Sequence, residues 1–220
     1  IHGDRITFVY AGDIWIVPAS GGTAHRLTSH EGLELYPKFS PDGRWIAFIA
    51  DPELPPASVI QAERDSIARL PYDAARDEAP RNDSDIFLIP ASGGELRRLT
   101  TMDGSERGIL WSPDSRQIAF VSSLARTSSS RIWVVDAGGG EPRNVLGDWR
   151  YEPQGVDWMQ NGLLAMSASV GGRTALFHVD PGNGEITEVI AGRRRINEFS
   201  YDQDFGKVAF VATSVDKPTE

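Results

Sequence analysis

The stretch DIWIVPASGG, residues 13–22, decides the fold, because it returns almost unchanged as DIFLIPASGG, residues 85–94. The first copy is followed by HRLT at residues 25–28 and the second by RRLT at residues 97–100. A short apolar run, a Gly-Gly turn and a second short run are typical of an antiparallel β-hairpin. A hairpin repeated within one chain predicts an architecture built from repeats.

A second motif, a turn of the Pro-Asp-Gly type followed by a strand of the Ile-Ala-Phe type, precedes each hairpin. The strand is apolar at nearly every position, which predicts a strand covered on both faces. The motif occurs at residues 2–8, 41–48, 113–120, 161–166 and 204–210. Aromatic residues mark the hairpin centres: Trp15, Phe87, Trp133 and Phe177. The last two spacings, 46 and 44 residues, fit the period of about 40–45 residues expected for four-stranded propeller blades.

The sequence therefore predicts an all-β chain, a β-propeller of about five four-stranded antiparallel blades, with four and a half repeats counted. Residues 1–220 are interpreted as a single domain. The predicted repeats span residues 1–32, 33–104, 105–149, 150–194 and, incompletely, 195–220. An insertion at residues 51–82 lengthens the second repeat and is predicted to be partly helical, with a helix over residues 58–70.

Charge and composition exclude several classes of partner. The formal net charge is −9, which argues against nucleic acid or an anionic membrane surface as partner, because both select basic patches. No apolar run approaches the roughly 18 residues of a membrane span. The chain has no cysteine, which excludes disulfides and thiolate zinc sites. Cysteine usage leaves both the cytoplasm and the periplasm of a bacterium open as compartments.

Catalytic motifs are absent from the sequence. It has no Gly-x-Ser-x-Gly elbow, no His-Glu-x-x-His and no glycine-rich phosphate loop. No catalytic, cofactor-binding or metal residue is therefore assigned, and no cofactor is expected.

Two sets of charged residues are candidates for peptide contact. Glu34 and Glu106 share one repeat position on the innermost strand of a blade, and we expect them to line a mouth of the channel, where they would suit a peptide amine. Arg193, Arg194 and Arg195 form the only basic run. Arginine binds carboxylates bidentately, so this run is a candidate contact for the carboxylate terminus of a peptide. The alternative for the arginines is a solvated face.

The repeat resembles that of a known propeller family. FSPDG at residues 39–43, IAF at 46–48, DIF at 85–87 and LT at 99–100 are similar to the WD40-like (PD40) repeat of TolB-like and tricorn-like propellers. That resemblance covers essentially the whole chain at the level of fold. Residues 199–201, 208–212 and 217–220 further resemble the late propeller of acylaminoacyl-peptidase-like members of the prolyl oligopeptidase family.

The second resemblance implies a function. In the prolyl oligopeptidase family an α/β-hydrolase domain carries a Ser-Asp-His triad, and the propeller screens access to it. None of the triad positions occurs in this sequence, so no catalytic residue is carried over and the chain alone is expected to be inactive. The implied role is a non-catalytic domain that gates or orients peptides for a serine peptidase domain absent from this chain.

Other functions and partners remain open. The first alternative is a stand-alone TolB-like protein-binding scaffold, and the second is an engineered or fragment propeller without a function of its own. The expected partner is a peptide or a protein, including a covalently linked α/β-hydrolase domain. Self-association through incomplete blades is a further possibility.

Overall fold

The computed structural model describes residues 1–29, 32–51, 62, 65–66, 69–71, 84–124, 128–190, 194–202 and 206–214. Within each sheet of these residues, strands that are hydrogen-bonded neighbours are also consecutive in sequence. The first sheet contains β1 (Arg5–Tyr10), β2 (Asp13–Pro18) and β3 (His25–Arg26). The second contains β4 (Glu34–Phe39), β5 (Trp45–Ala50), β6 (Asp85–Pro90) and β7 (Arg97–Arg98).

The remaining strands form three more sheets within the described ranges. The third sheet contains β8 (Arg107–Trp111), β9 (Gln117–Ser122), β10 (Arg131–Asp136) and β11 (Arg143–Asn144). The fourth contains β12 (Pro153–Trp158), β13 (Leu164–Val170), β14 (Arg173–Val179) and β15 (Ile186–Glu188). The fifth contains β16 (Arg194–Tyr201) and β17 (Val208–Ser214). This succession of antiparallel sheets confirms the prediction of an all-β chain built from propeller-type blades.

The hairpin centres lie where the repeat predicts them. Trp15, Phe87, Trp133 and Phe177 occupy β2, β6, β10 and β14. The last strand of the second sheet, β7, is only two residues long. Beyond it, the hydroxyl of Thr100 accepts a hydrogen bond from the amide of Ile86 at 2.8 Å. A side chain thus takes the place of a backbone partner in the ladder.

The chain divides into two compact units, with the boundary inside β8. The first unit comprises the described residues of 1–109 and 123–127, and the second those of 110–122 and 128–220. The core of the first unit includes Ile14, Ile46 and the stacked rings of Phe48 and Phe87, whose centroids are 5.9 Å apart. Strand β5 is buried from Ile46 to Ala50, which confirms that it is covered on both faces. The grouping of all repeats into one domain stays a prediction.

The core of the second unit joins the third and fourth sheets. Its fully buried members include Ala119, Ile132, Leu164 and Met166. Trp149, which lies in a loop, packs its ring edge against Phe177 at a centroid distance of 4.9 Å. The loop tryptophan therefore belongs to the same apolar core as the strand aromatics.

Most of the insertion lies outside the described residues, and so does most of the predicted helix over residues 58–70. Ala62, Asp65 and Ser66, which are described, are helical. No helix in the described part of the chain is long and apolar enough to cross a membrane.

The turn before β5 is fixed by a Ser-Asp pair. Ser40 Oγ donates a hydrogen bond to Asp42 Oδ1 at 2.6 Å. The amide of Arg44 donates to Asp42 Oδ1 at 3.0 Å, and the amide of Trp45 donates to Ser40 Oγ at 3.0 Å. Side chains of this kind replace backbone partners in tight turns. The Pro-Asp-Gly signature therefore has a direct structural role.

The same turn recurs before β9. Ser112 Oγ donates to Asp114 Oδ1 at 2.7 Å, and the amides of Arg116 and Gln117 donate to Asp114 Oδ1 and Ser112 Oγ. The Ser112 hydroxyl and the Arg116 amide, with the nearby Arg116 charge, hold the pKa of Asp114 below its ordinary value. The contacts of the folded state thus stabilise the ionised form of the Asp114 carboxyl group.

We expect Asp114→Ala to lower the free energy of unfolding by about 1 kcal/mol at neutral pH, the typical value of a side-chain hydrogen bond. Because the pKa of Asp114 is lower in the folded than in the unfolded chain, its ionised form contributes stability above about pH 4. That contribution is lost as the pH falls through the folded pKa. Urea unfolding between about pH 7 and pH 3 should therefore show the difference from wild type shrinking at low pH.

Asp148→Ala is the matched control, since the exposed Asp148 side chain makes no hydrogen bond or ion pair within the described ranges. Its effect should stay within a few tenths of a kcal/mol at every pH. An Asp114→Ala deficit that is independent of pH would contradict the assigned role of the carboxylate charge.

Candidate functional site

Glu34, one of the two predicted mouth residues, is fully buried at the start of β4. Its Oε2 accepts hydrogen bonds from the Ile14 amide, at 3.1 Å, and from the hydroxyl of Thr28. The Glu34 amide donates to the carbonyl of Gly12 at 3.0 Å. Glu34 therefore connects β4 of the second sheet to strand β2 of the first.

Glu106, the second predicted mouth residue, lies in the same repeat position directly before β8 and is 1% exposed. Its amide donates to the carbonyl of Ser84, immediately before β6, at 3.0 Å. Both glutamates thus make contacts inside the fold, to the preceding sheet. Their role at a channel mouth stays a prediction.

An aspartate–arginine pair accompanies each glutamate. Asp13 pairs with Arg26 at 2.8 Å across β2 and β3, and Asp85 pairs with Arg98 across β6 and β7. The aspartate side chains are 8% and 1% exposed, whereas the arginines are 46% and 39% exposed. Each arginine therefore neutralises an interior carboxylate while its own side chain reaches solvent.

The arginine run is only partly described. Arg193 lies outside the described residues, whereas Arg194 and Arg195 are exposed at the start of β16. They stand opposite Ser214 and Thr213 of β17. Because side chains alternate along a strand, Arg194 and Arg195 project from opposite faces of the sheet. Peptide contact by the three arginines stays a prediction.

Arg195 lines an open cavity of about 320 Å³, here called the β16 cavity. The cavity lies between β16 and the sheet of strands β12–β14. Its polar lining consists of Gln154, Ser167, Ser169, Thr174, Arg195 and Asn197. Sequence reasoning identified only the arginine. Ser167 occupies a repeat position at which the second and third sheets have Ile49 and Val121. This serine is the sequence signal that would have indicated a polar cavity there.

A histidine–tyrosine pair also connects β14 to β16. His178 Nε2 and the Tyr201 hydroxyl are 3.1 Å apart. Burial lowers the pKa of His178 and raises the pKa of Tyr201. Both rings are therefore neutral near pH 7, which fits a structural hydrogen bond. No group of three or more His, Asp or Glu side chains in the described residues is placed to hold a metal ion.

Comparison with known proteins agrees with the repeat architecture. Residues 1–82 match the family described as the Tricorn protease N-terminal beta propeller domain. A protein TolB homolog of Chlorobium luteolum is 27% identical over 161 residues, which cover 65% of this chain and 36% of that protein. The resemblance to TolB-like and tricorn-like propellers is confirmed.

Peptidases are also similar to this chain. The uncharacterized peptidase YuxL of Bacillus subtilis is 25% identical over 206 residues, which cover 92% of this chain and 25% of the peptidase. In the crystal structure of puromycin hydrolase, 33% of the chain superimposes on 94% of this one, with a TM-score of 0.68 and 15% sequence identity. That likeness shows a shared fold. The aligned part is thus only about a third of the TolB homolog and of puromycin hydrolase, and a quarter of the peptidase YuxL.

Proposed function

We propose that this chain is the non-catalytic propeller domain of a serine peptidase and that it gates or orients peptide substrates. One observation carries the proposal: peptidase YuxL aligns with 92% of this chain, yet the aligned part is only 25% of that peptidase. A propeller accompanied by a longer catalytic region accounts for both percentages. The lack of a Gly-x-Ser-x-Gly elbow in this sequence also supports a nucleophile located elsewhere.

The buried polar contacts in the first unit suit a screening role. A domain that screens substrates by size must keep neighbouring sheets together while peptides collide with it. Glu34 makes such a connection through the Ile14 amide and the Thr28 hydroxyl, and Glu106 makes one through Ser84. These hydrogen bonds have little access to water, so water competes poorly for them. The proposed gate is therefore a stiff structure rather than a flexible flap.

A serine-directed fluorophosphonate probe tests the proposal. The complete source polypeptide and the purified 220-residue chain would be treated in parallel and resolved by size. We expect strong labelling of the complete polypeptide, abolished by prior denaturation, and none of the chain alone. Labelling of the chain alone, or a source polypeptide whose intact mass equals the 24.1 kDa of this chain, would contradict the proposal.

A TolB-like scaffold that binds a protein partner is the second candidate function, and the match to the TolB homolog favours it. The two proposals differ in what this chain does by itself. A scaffold retains one partner in stoichiometric amount in a pull-down with the purified chain, without any hydrolase domain. A gating domain acts on substrates only together with its peptidase.

A further inference from the structure

We propose that the β16 cavity is a binding site for a carboxylate group, which Arg195 contacts directly. The ligand class is a small carboxylic acid or the carboxylate end of a peptide. The inference concerns this chain itself and does not depend on the hydrolase domain proposed above.

The cavity arises where the fourth sheet departs from the repeat. In the second sheet, the cross-strand pair Leu35 and Ile49 occupies this position, and Ile49 is 6% exposed. In the fourth sheet, the corresponding pair is Gln154 and Ser167, and Ser167 is also 6% exposed. A blade sandwiched between others favours apolar residues at such a position. Gln154 and its counterpart Leu35 are exposed. The fold therefore accepts an apolar residue at the buried position of Ser167, and the serine there calls for a separate reason.

Four of the polar lining residues lie on one face of the fourth sheet. Gln154 stands directly opposite Ser167, and Ser169 stands directly opposite Thr174. Because residues two apart along a strand share a face, Ser167 and Ser169 point to the same side. Within the described ranges, only the Ser167 hydroxyl of these four side chains makes a hydrogen bond, to the Gln154 carbonyl at 3.1 Å. The amide and the other two hydroxyls remain available to a ligand.

Ile196 and Phe199 form the apolar part of the cavity lining, and the Phe199 ring lies against a glycine. Gly155 has a φ of +55°, and a Cβ atom added to it would lie 3.3 Å from the Phe199 ring. The ring thus rests against the bare backbone of β12. A wall of this kind beside polar groups is typical of sites for small ligands. The volume of about 320 Å³ is at the lower end of the range for such sites.

Charge selects the ligand class. Arg195 is the only charged residue in the lining, and no carboxylate of the described residues pairs with it. One guanidinium balances one negative charge, which fits a carboxylate better than a doubly charged phosphate. Its planar fork also matches the two oxygens of a carboxylate. The amide groups of Gln154 and Asn197 and the nearby hydroxyls can donate to the same oxygens.

Titration of the isotopically labelled chain, followed by NMR of its backbone amides, tests the inference. The probes are two matched pairs: acetyl-triglycine with its C-terminal amide, and glucuronate with glucose. We expect saturable shifts at Gln154, Ser169, Thr174 and Asn197 with at least one acid and with neither neutral partner. The tighter acid distinguishes a peptide terminus from a sugar acid. Equal shifts with acid and neutral partner, or no saturation by about 10 mM acid, would overturn the inference.

Matched variants identify the contact. Arg195→Gln is expected to weaken acid binding about tenfold or more, because a charge-assisted bidentate contact is lost. Arg194→Gln removes the same charge from the opposite face of β16 and should leave the affinity unchanged. Ser167→Val introduces the residue type of Val121 and should weaken binding while the chain stays folded by circular dichroism. Equal weakening by Arg194→Gln and Arg195→Gln would show a general charge effect and refute the site.

Discussion

Arg98→Met is expected to lower the free energy of unfolding by about 3 kcal/mol, at the lower end of the range for breaking a buried ion pair. Arg98 pairs with Asp85, whose side chain is 1% exposed. Removal of the guanidinium leaves an interior carboxylate without this cation, while the hydroxyl of Thr100, at 3.5 Å, compensates little. Methionine keeps the apolar stem of the arginine, so the loss reports the guanidinium, whose Nε also donates a hydrogen bond to the Thr100 carbonyl at 3.2 Å. Urea unfolding at neutral pH measures it.

Two further variants distinguish the effect of burying the Asp85 carboxylate from the effect of simply removing an arginine charge. Asp85→Leu combined with Arg98→Met should lose less stability than Arg98→Met alone, because the double variant removes the interior carboxylate together with its cation. Arg44→Met is the exposed control: Arg44 is 81% exposed and lies 3.9 Å from Asp42, so its loss should stay below about 1 kcal/mol. Equal losses for Arg98→Met and Arg44→Met would show that burial of Asp85 does not determine the effect.

The strands could be predicted from the sequence because their signals are local. The run at residues 85–90 is bounded by turn residues and carries apolar side chains at nearly every position, and it forms β6 over the same range. The turn before β5 was equally readable, since Ser40 and Asp42 bond to each other and to the next amides. Such contacts span only a few residues, so a short pattern specifies them.

The direction of the Glu34 side chain could not be predicted. The repeat shows that Glu34 and Glu106 are equivalent, but the partners of Glu34 include Ile14, 20 residues away in sequence. A β-bulge also intervenes, because the register of β4 shifts between Leu35 and Lys38. A one-residue shift turns following side chains to the other face of the sheet. The bulge residue Tyr36 has a φ of +55°, although tyrosine gives no sign of that conformation.

The β16 cavity was beyond sequence reasoning for a related reason. Its polar lining comes from four strands, and register rather than spacing brings Gln154 opposite Ser167 and Ser169 opposite Thr174. The arginine run was visible as a cluster of charge. Only the strand assignment shows that Arg195 faces the cavity while Arg194 projects from the other face.

Gly104→Ala is expected to lower the free energy of unfolding by about 3 kcal/mol, through two effects that add. Gly104 lies in the turn before β8 with a φ of +98°, a conformation that alanine adopts only with strain. An added Cβ atom would also lie 2.3 Å from the carbonyl oxygen of Ser123, just after β9. That oxygen belongs to the backbone, so it cannot move aside as a flexible side chain would.

Two other glycines separate strain from collision. Gly21 has a φ of +90° and no atom within 4 Å of the added Cβ, so Gly21→Ala should cost only the strain, about 1 kcal/mol. Gly138 has equally open space and lacks a left-handed φ, so Gly138→Ala should be neutral or slightly stabilising. Thermal and urea unfolding should therefore show the lowest stability for Gly104→Ala, a clearly higher stability for Gly21→Ala and the highest stability for Gly138→Ala. Equal losses for Gly104→Ala and Gly21→Ala would mean that the Ser123 backbone yields to the methyl group and that strain alone sets the effect.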